Sequence, residues 1–310
     1  MKRNGVSTTQ LAKICGVSQG TVDRALNGRK GISPKTKERI LAAAQEYGYR
    51  PNIHARSIAG GRSTLIGVVV FDLNNQYFSD ILTAIEKECT ARGYSMIAAF
   101  TNKDVNKEIE CIDNLYHMSV DGIILCPINK GEAFENYLLA LNMPIVTIGN
   151  KLKNIPYVGI DNALSMEETV EYVLSKGYEK LIYVKPHLSG NNTFAQTERL
   201  NAFCHSCQKR NVAFSVTELP LAEQEIDPSR KSAFICPTDL YAIKLLSIAQ
   251  RHKAGIIGFD NIRLLDDLNL TLDSVAYDIN QTAKILSDYI TEHKEISSLV
   301  SHAIVKRGSI

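Results

Sequence analysis

The 310-residue sequence has no uninterrupted run of about 18 apolar residues, the length a membrane-spanning helix requires, which leaves no candidate helical span. Its start, Met1-Lys2-Arg3-Asn4-Gly5-Val6-Ser7, is basic but leads into a polar amphipathic segment, so no export signal is expected. A Gly-x-Ser-x-Gly elbow, a P-loop and a His-Glu-x-x-His pair are all missing, and an enzymatic function has no motif to rest on. Cys204-His205-Ser206-Cys207 is a C-x-x-C with no second pair at metal-ligand spacing, and the seven histidines form no cluster. Inert packing is expected there, with no metal and no cofactor. Asp72 and Asp121, at strand edges, read as structural. Seven cysteines, an odd number scattered through hydrophobic segments, point to reduced thiols in a cytoplasmic protein. The chain ends at Gly308-Ser309-Ile310 without a leucine heptad tail, which favours a dimer over a tetramer.

Acidic residues are nearly missing from the first 63 positions. Only Asp23, Glu38 and Glu46 stand there against twelve Lys and Arg, a formal charge of +9, while the remainder carries −7. A small basic head on an acidic body places a polyanion contact at one end, and nucleic acid is the first candidate. A solvated basic segment is the plain alternative.

Helix boundary signals recur through this head. Ser7 and Gln10 have capping-box spacing; Leu11, Ala12 and Ile14 give the following helix an apolar face, and Gly16 ends it. Ser18 caps a second helix that Asn27-Gly28 closes. Ser33-Pro34 opens a third, with Ile40, Leu41, Ala44 and Tyr47 on one face and Gly48 as the stop. Two helices joined by a short Gly-containing turn form a helix-turn-helix, whose second helix presents its N-terminal residues to base edges in the major groove. Those residues are Gln19, Gly20, Thr21 and Arg24; glutamine can pair with adenine and arginine with guanine. Ser7, Ser18, Thr21 and Ser33 put hydroxyls at helix starts, where they can grip phosphate or act only as caps. Residues 52–60 spell a helix of about eight residues, too short to hold alone in water, which would form against DNA or its twin in a dimer.

Gly16-Val17-Ser18, Thr21-Val22, Arg24, Asn27, Ser33-Pro34-Lys35-Thr36, Tyr49-Arg50-Pro51-Asn52 and Ile58-Ala59-Gly60 resemble the head of a LacI/GalR-family repressor, and the likeness continues over nearly the whole chain. The resemblance implies base reading by Gln19, Gly20 and Arg24. It implies phosphate contacts from Ser7, Ser18, Thr21, Asn27, Ser33 and Asn52. It also implies entry of a hinge helix into the minor groove at Ala55 and Ile58, where Ile58 replaces the usual leucine wedge. Asp23 departs from the commoner small residue and has no role in this reading.

From Thr64 the pattern changes to short β-branched runs alternating with helical stretches. Strands are expected at 65–70, 95–100, 122–126 and 144–148, with a helix at 80–92, and the alternation restarts after Asp161 at 181–184, 213–216, 233–236 and 255–259. Residues 279–290 as helix and 302–307 as strand are expected to cross back between the lobes. The expected fold is an all-α helix-turn-helix head (1–50) and a hinge helix with linker (51–63), joined to an α/β core (64–310). That core comprises two Rossmann-like lobes resembling a type I periplasmic binding protein. The lobes take about 64–160 plus 278–300 and about 161–277 plus 301–310.

Ligands of open α/β sheets sit at the carboxyl ends of strands. There the resemblance places Asn75, Tyr77 and Phe78 after the first strand, with Gln76 standing for a proline. It places Asn129 where relatives hold an acid, Arg199 as a fork onto ligand oxygens and Asp260 as an acceptor for ligand hydroxyls. Thr238 and Tyr277 replace the commoner amides and acids. Arg, Asp and aromatic walls together suit a saccharide; Tyr77 and Phe78 as plain core, and Asp260 as a turn cap, are the structural alternatives. The segment from Val216 to Phe234 is about ten residues shorter than in most relatives. The reading is a homodimeric, ligand-controlled regulator of a palindromic DNA operator, with no membrane association. The same dimer governed by a protein partner, and a sugar-binding transport protein, are the alternatives.

Overall fold

The computed structural model describes residues 6–49, 62–185, 194–294, 296 and 299–310. The chain divides into two compact units, Met1–Ser63 and Thr64–Ile310.

In the first unit three helices, α1 (Thr8–Cys15), α2 (Gln19–Leu26) and α3 (Pro34–Glu46), enclose a small core of Leu11, Ala12, Cys15, Val22, Ala25, Ile40, Ala43 and Ala44. Each helix begins on a serine. Ser7 accepts from Gln10 N while the Gln10 side chain accepts from Ser7 N, Ser18 accepts from Thr21 N, and Ser33 accepts from Thr36 N ahead of Pro34. Each such cap is worth about 1 kcal/mol. Gly16, at φ +59°, turns the chain out of α1 in the left-handed region that glycine enters without strain. Three apolar residues placed inward on the sequence are exposed. Ile14 and Leu41 lie about 100° round the helix from the buried faces of α1 and α3, and Cys15 and Ala43 fill those places. Tyr47 lies past the last turn of α3, as its C-cap.

The second unit holds two sheets. The first is wholly parallel in the order β2-β1-β3-β4-β5, from β1 (Leu65–Val70), β2 (Ser95–Phe100), β3 (Gly122–Leu125), β4 (Ile145–Ile148) and β5 (Tyr157–Val158). The second runs β11-β10-β9-β8-β6-β7, from β6 (Lys180–Lys185), β7 (Ala213–Glu218), β8 (Ser232–Ile235), β9 (Gly255–Phe259), β10 (Asp273–Tyr277) and β11 (His302–Val305). Only β10 and β11 pair antiparallel. β1, β3, β4 and β8 are buried along their whole length, as strands covered on both faces by helices must be. The helices of this unit are α4 (Gln76–Ala91), α5 (Val105–His117), α6 (Glu132–Ala140), α7 (Asn162–Ser175), α8 (Phe194–Lys209), α9 (Asp239–His252), α10 (Leu264–Asp267) and α11 (Ile279–Glu292). α4 begins four residues before the expected start because Asn75 caps it, its side chain accepting from Tyr77 N. Neither β5 nor β10 is among the strands expected from sequence.

The chain passes between the sheets three times: from β5 to α7, from β10 to α11, and from α11 to β11. α11 packs against α4, β3, β4 and β5 of the first lobe, and β11 returns to the second. A parallel bridge joins Gly159 to Leu299, and Val300 N donates to Gly159 O at 2.7 Å, so the first and third crossings are tied together. Where β9 ends, Gly258 makes room for the carboxylate of Asp239, since a Cβ at Gly258 would lie 2.0 Å from Asp239 Oδ1.

Candidate functional site

The head presents Gln19, Gly20 and Arg24 exposed on α2, with Thr21 half-buried, while Val22 and Ala25 face inward. The hydroxyls at the helix starts are already paired: Ser18 Oγ lies 2.9 Å from Thr21 Oγ1, and Ser33 Oγ lies 2.8 Å from Thr36 Oγ1. One hydroxyl of each pair donates to the other, so each pair retains one O–H to donate, with acceptor capacity besides, at an exposed helix N-terminus. At the other end of α2, Asp23 accepts from Asn27 Nδ2 at 2.7 Å and from Arg29 Nη1 at 3.1 Å. Asn52, Ala55 and Ile58 lie outside the described residues.

In the second unit a cavity of about 820 Å³ opens between the carboxyl ends of the two sheets. Seven of the eight residues assigned to ligand binding from sequence line it: Asn75, Tyr77, Phe78, Arg199, Thr238, Asp260 and Tyr277. Asp260 is its chemical centre. Its carboxylate accepts from Asn75 Nδ2 at 2.7 Å, out of the first lobe, and from the Tyr277 hydroxyl at 3.0 Å, out of the second. Burial pushes its carboxyl above the ordinary aspartate range, and the Arg199 guanidinium opposes that shift. The backbone at Asp260 has φ +98°, a conformation that costs a non-glycine residue about 1–3 kcal/mol. It is held there by Asp260 N donating to Val275 O and by Asn261 N donating to Ser274 Oγ, both at 3.0 Å.

Arg199 is also fixed in place. Its Nε donates to Asn162 Oδ1 at 2.9 Å, its Nη1 donates to Pro237 O at 3.1 Å, and the guanidinium lies 3.5 Å from the centre of the Phe259 ring. Two of the five N–H groups of a guanidinium are thereby used. Tyr77 and Phe78 are both core and wall: they are buried, they meet edge-on at 5.2 Å, and Tyr77 lies 5.5 Å from Tyr277. Burial raises both phenols well above their usual range, so they act as neutral hydroxyls. Two further bonds join the lobes. Leu264 N donates to Gln76 Oε1 at 2.8 Å, and Ala195 N donates to Asn150 Oδ1 at 3.2 Å.

Residues 9–52 match the family described as bacterial regulatory proteins, lacI family, and residues 63–222 match the periplasmic binding proteins and sugar binding domain of LacI family. The chain belongs to the LacI family. Catabolite control protein A of Staphylococcus epidermidis is 27% identical, with 98% of this chain and 99% of that protein aligned. The HTH-type transcriptional regulator PtxS of Pseudomonas putida is 31% identical over 67% of this chain, an alignment spanning 61% of that regulator. A lac repressor dimer bound to operator and the anti-inducer ONPF shares the fold, with a TM-score of 0.83 and 19% identity over 97% of this chain and 98% of that one. This LacI-family chain is a DNA-binding transcriptional regulator and not an enzyme.

Asn129, placed in the ligand site by position, belongs elsewhere. Its Nδ2 donates to Val105 O and to the buried carboxylate of Glu108, and Glu108 also accepts from Ile128 N and Asn129 N. A carboxylate with no solvent access needs these donors, and the asparagine supplies them rather than facing the cavity. Thr238 starts α9 without capping it through its side chain. Sequence reasoning missed Asn102, Asn150, Asn162, Gln196 and Tyr241 in the cavity wall. Asn102 and Asn150 follow the ends of β2 and β4, so the rule that found Asn75 would have found them. Cys207 is fully buried and its thiol is pushed up to about 12, so the C-x-x-C of α8 offers little thiolate for metal or redox chemistry. No helix among the described residues is long and apolar enough to cross a membrane.

Proposed function

We propose that this regulator reads a palindromic operator as a cytoplasmic homodimer, and that a small polyhydroxylated effector, a sugar or sugar derivative, binds between its lobes and sets its operator affinity. Gln19, Gly20 and Arg24 read bases. Ser7, Ser18, Thr21, Ser33 and Asn52 hold phosphates, and Ala55 and Ile58 enter the minor groove. Asn75, Tyr77, Phe78, Arg199, Thr238, Asp260 and Tyr277 hold the effector.

The observation that carries the effector reading is the buried Asp260 carboxylate, kept at a strained backbone position opposite Arg199 in a cavity walled by aromatic rings. An acceptor and a donor with fixed geometry suit vicinal hydroxyls, and rings cover the apolar face of a pyranose. The ligand changes DNA affinity only through its differential affinity for two arrangements of the lobes, typically 1–3 kcal/mol.

A thermal-shift screen of the full chain against neutral sugars, polyols, sugar acids and sugar phosphates tests this. A ligand at 100 times its Kd adds about 2.7 kcal/mol. A hit whose stabilisation disappears in Asp260→Ala supports the assignment. A hit that stabilises Asp260→Ala equally sinks it, and a screen without hits favours control by a protein partner.

A further inference from the structure

We propose that Arg29, positioned by Asp23, makes the phosphate contact at the C-terminal end of α2 that family resemblance assigns to Asn27. The proposal rests on the DNA-binding reading of the head and alters which residue performs one part of it.

Asn27 is the C-cap of α2, and its side chain is committed. Nδ2 donates to Asp23 O at 3.1 Å and to Asp23 Oδ1 at 2.7 Å, which uses both amide hydrogens. The orientation of this amide is fixed by chemistry. Turned over, it would set an oxygen against a carbonyl and a carboxylate, three acceptors with no proton between them. What Asn27 then shows to solvent is its own oxygen, and a phosphate has only acceptors to meet it with. In this arrangement Asn27 has no donor to give.

Asp23 creates this state and supplies the replacement. Its second oxygen accepts from Arg29 Nη1 at 3.1 Å, and Arg29 N donates to Arg24 O at 2.9 Å, so both ends of Arg29 are tied to the last turn of α2. The Arg29 side chain is 65% exposed, and one of its five N–H groups is used. It keeps its charge and a free planar edge, the form that binds phosphate through two parallel hydrogen bonds. An acid in a head of charge +9 otherwise only repels DNA; as a positioning residue it exchanges a neutral contact for a charged one. The consequence is a regulator whose grip at this point is more sensitive to salt than an asparagine contact would make it.

The test is binding of the full-length chain to a random-sequence 40-base-pair duplex, followed by fluorescence anisotropy between 50 and 200 mM salt. A charged phosphate contact contributes about 0.9 to the slope of log affinity against log salt. Arg29→Gln should therefore flatten the slope by about 0.9 per head, so that wild type loses about 3.5-fold more affinity per head, or about 12-fold for a dimer with both heads bound, than the variant over that range. Asn27→Ala should leave slope and affinity within about twofold of wild type. In an Asp23→Ala background, where the amide is released, Asn27→Ala should cost about fivefold per head, the weight of one neutral hydrogen bond. All three positions are at least partly exposed at the end of a helix, so folding is not at stake. An unchanged slope in Arg29→Gln, or equal losses from Arg29→Gln and Asn27→Ala, overturns the proposal. If wild type binds no duplex in a salt-dependent way, it is the DNA-binding reading that has failed.

Discussion

Replacing Asp260 with alanine removes the acceptor on which both lobes converge. Asn75 Nδ2 and the Tyr277 hydroxyl then lose their shared partner in a buried site, and the Arg199 guanidinium loses a nearby opposite charge. Hydrogen bonds to a charged group contribute about 1.5–3 kcal/mol each. Losing two such bonds from a buried site puts the combined loss at about 3–5 kcal/mol. Backbone strain separates the parts of this loss. Alanine inherits the φ of +98° and its cost, whereas glycine does not, so Asp260→Gly should be about 1–3 kcal/mol more stable than Asp260→Ala although both lack the carboxylate. Asp260→Asn keeps one acceptor oxygen and should lie between wild type and alanine. Urea unfolding of the full chain, read by far-ultraviolet circular dichroism, measures all three. With a slope near 3 kcal/mol per molar urea, the alanine midpoint should fall by about 1–1.7 M. An alanine midpoint within 0.3 M of wild type, or glycine no better than alanine, would refute the reasoning, since neither the bonds nor the strain would then carry the stated weight.

Asp239 is fully buried and accepts from Ser274 Oγ and Ile262 N, yet burial and the nearby Asp260 charge push its pKa to about 8. The folded value lies above the unfolded one near 3.9, so its contribution is complete below about pH 4 and is lost as pH rises towards 8. Melting temperature should fall from pH 5 to 8, and Asp239→Asn, a mimic of the neutral acid, should show a shallower fall; an identical slope in the variant would assign the titration elsewhere. Gly258→Ala drives a methyl into Asp239 Oδ1 and should cost about 1–3 kcal/mol by chemical denaturation, with Asp239→Ala in the same chain recovering part of it. Arg24→Ala should lose about 1–3 kcal/mol per half-site and relax preference at one base position in a selection from random duplexes, where an unchanged selected motif would place base readout elsewhere.

How much of this was legible in the sequence depended on whether the deciding interaction was local. The caps at Ser7, Ser18 and Ser33 were readable because serine and its backbone partner lie three residues apart. The apolar runs of β1, β3 and β8 were readable because strands buried on both faces leave a continuous signature. β10 left none: Asp273 and Ser274 are polar because they bind the C-terminal segment and Asp239, partners far away in sequence. Ile14 and Leu41 were misplaced because short helices of a small head bury a narrow stripe, and alanine or cysteine fills it as well as a larger residue. Asn129 was misread because position alone cannot reveal that Glu108 is buried beneath it. Asp23 had no visible role until Asn27 and Arg29 were seen on either side of it.

Three passages of chain between the lobes, two of them tied at Gly159 and Val300, leave the core little mechanical freedom. A body joined by one strand can swing and twist, whereas one joined by three behaves as a door with its pins in line. Gly159, Ile160, Asn162, Tyr277 and Thr282 belong to these passages or adjoin them, and all line the cavity. An effector in that cavity therefore sits beside the axis of rotation. A displacement of less than an ångström at the axis is multiplied along each lobe by the ratio of their distances from it. A small molecule can thus act as a wedge at the pins, and the far ends of the lobes carry the movement.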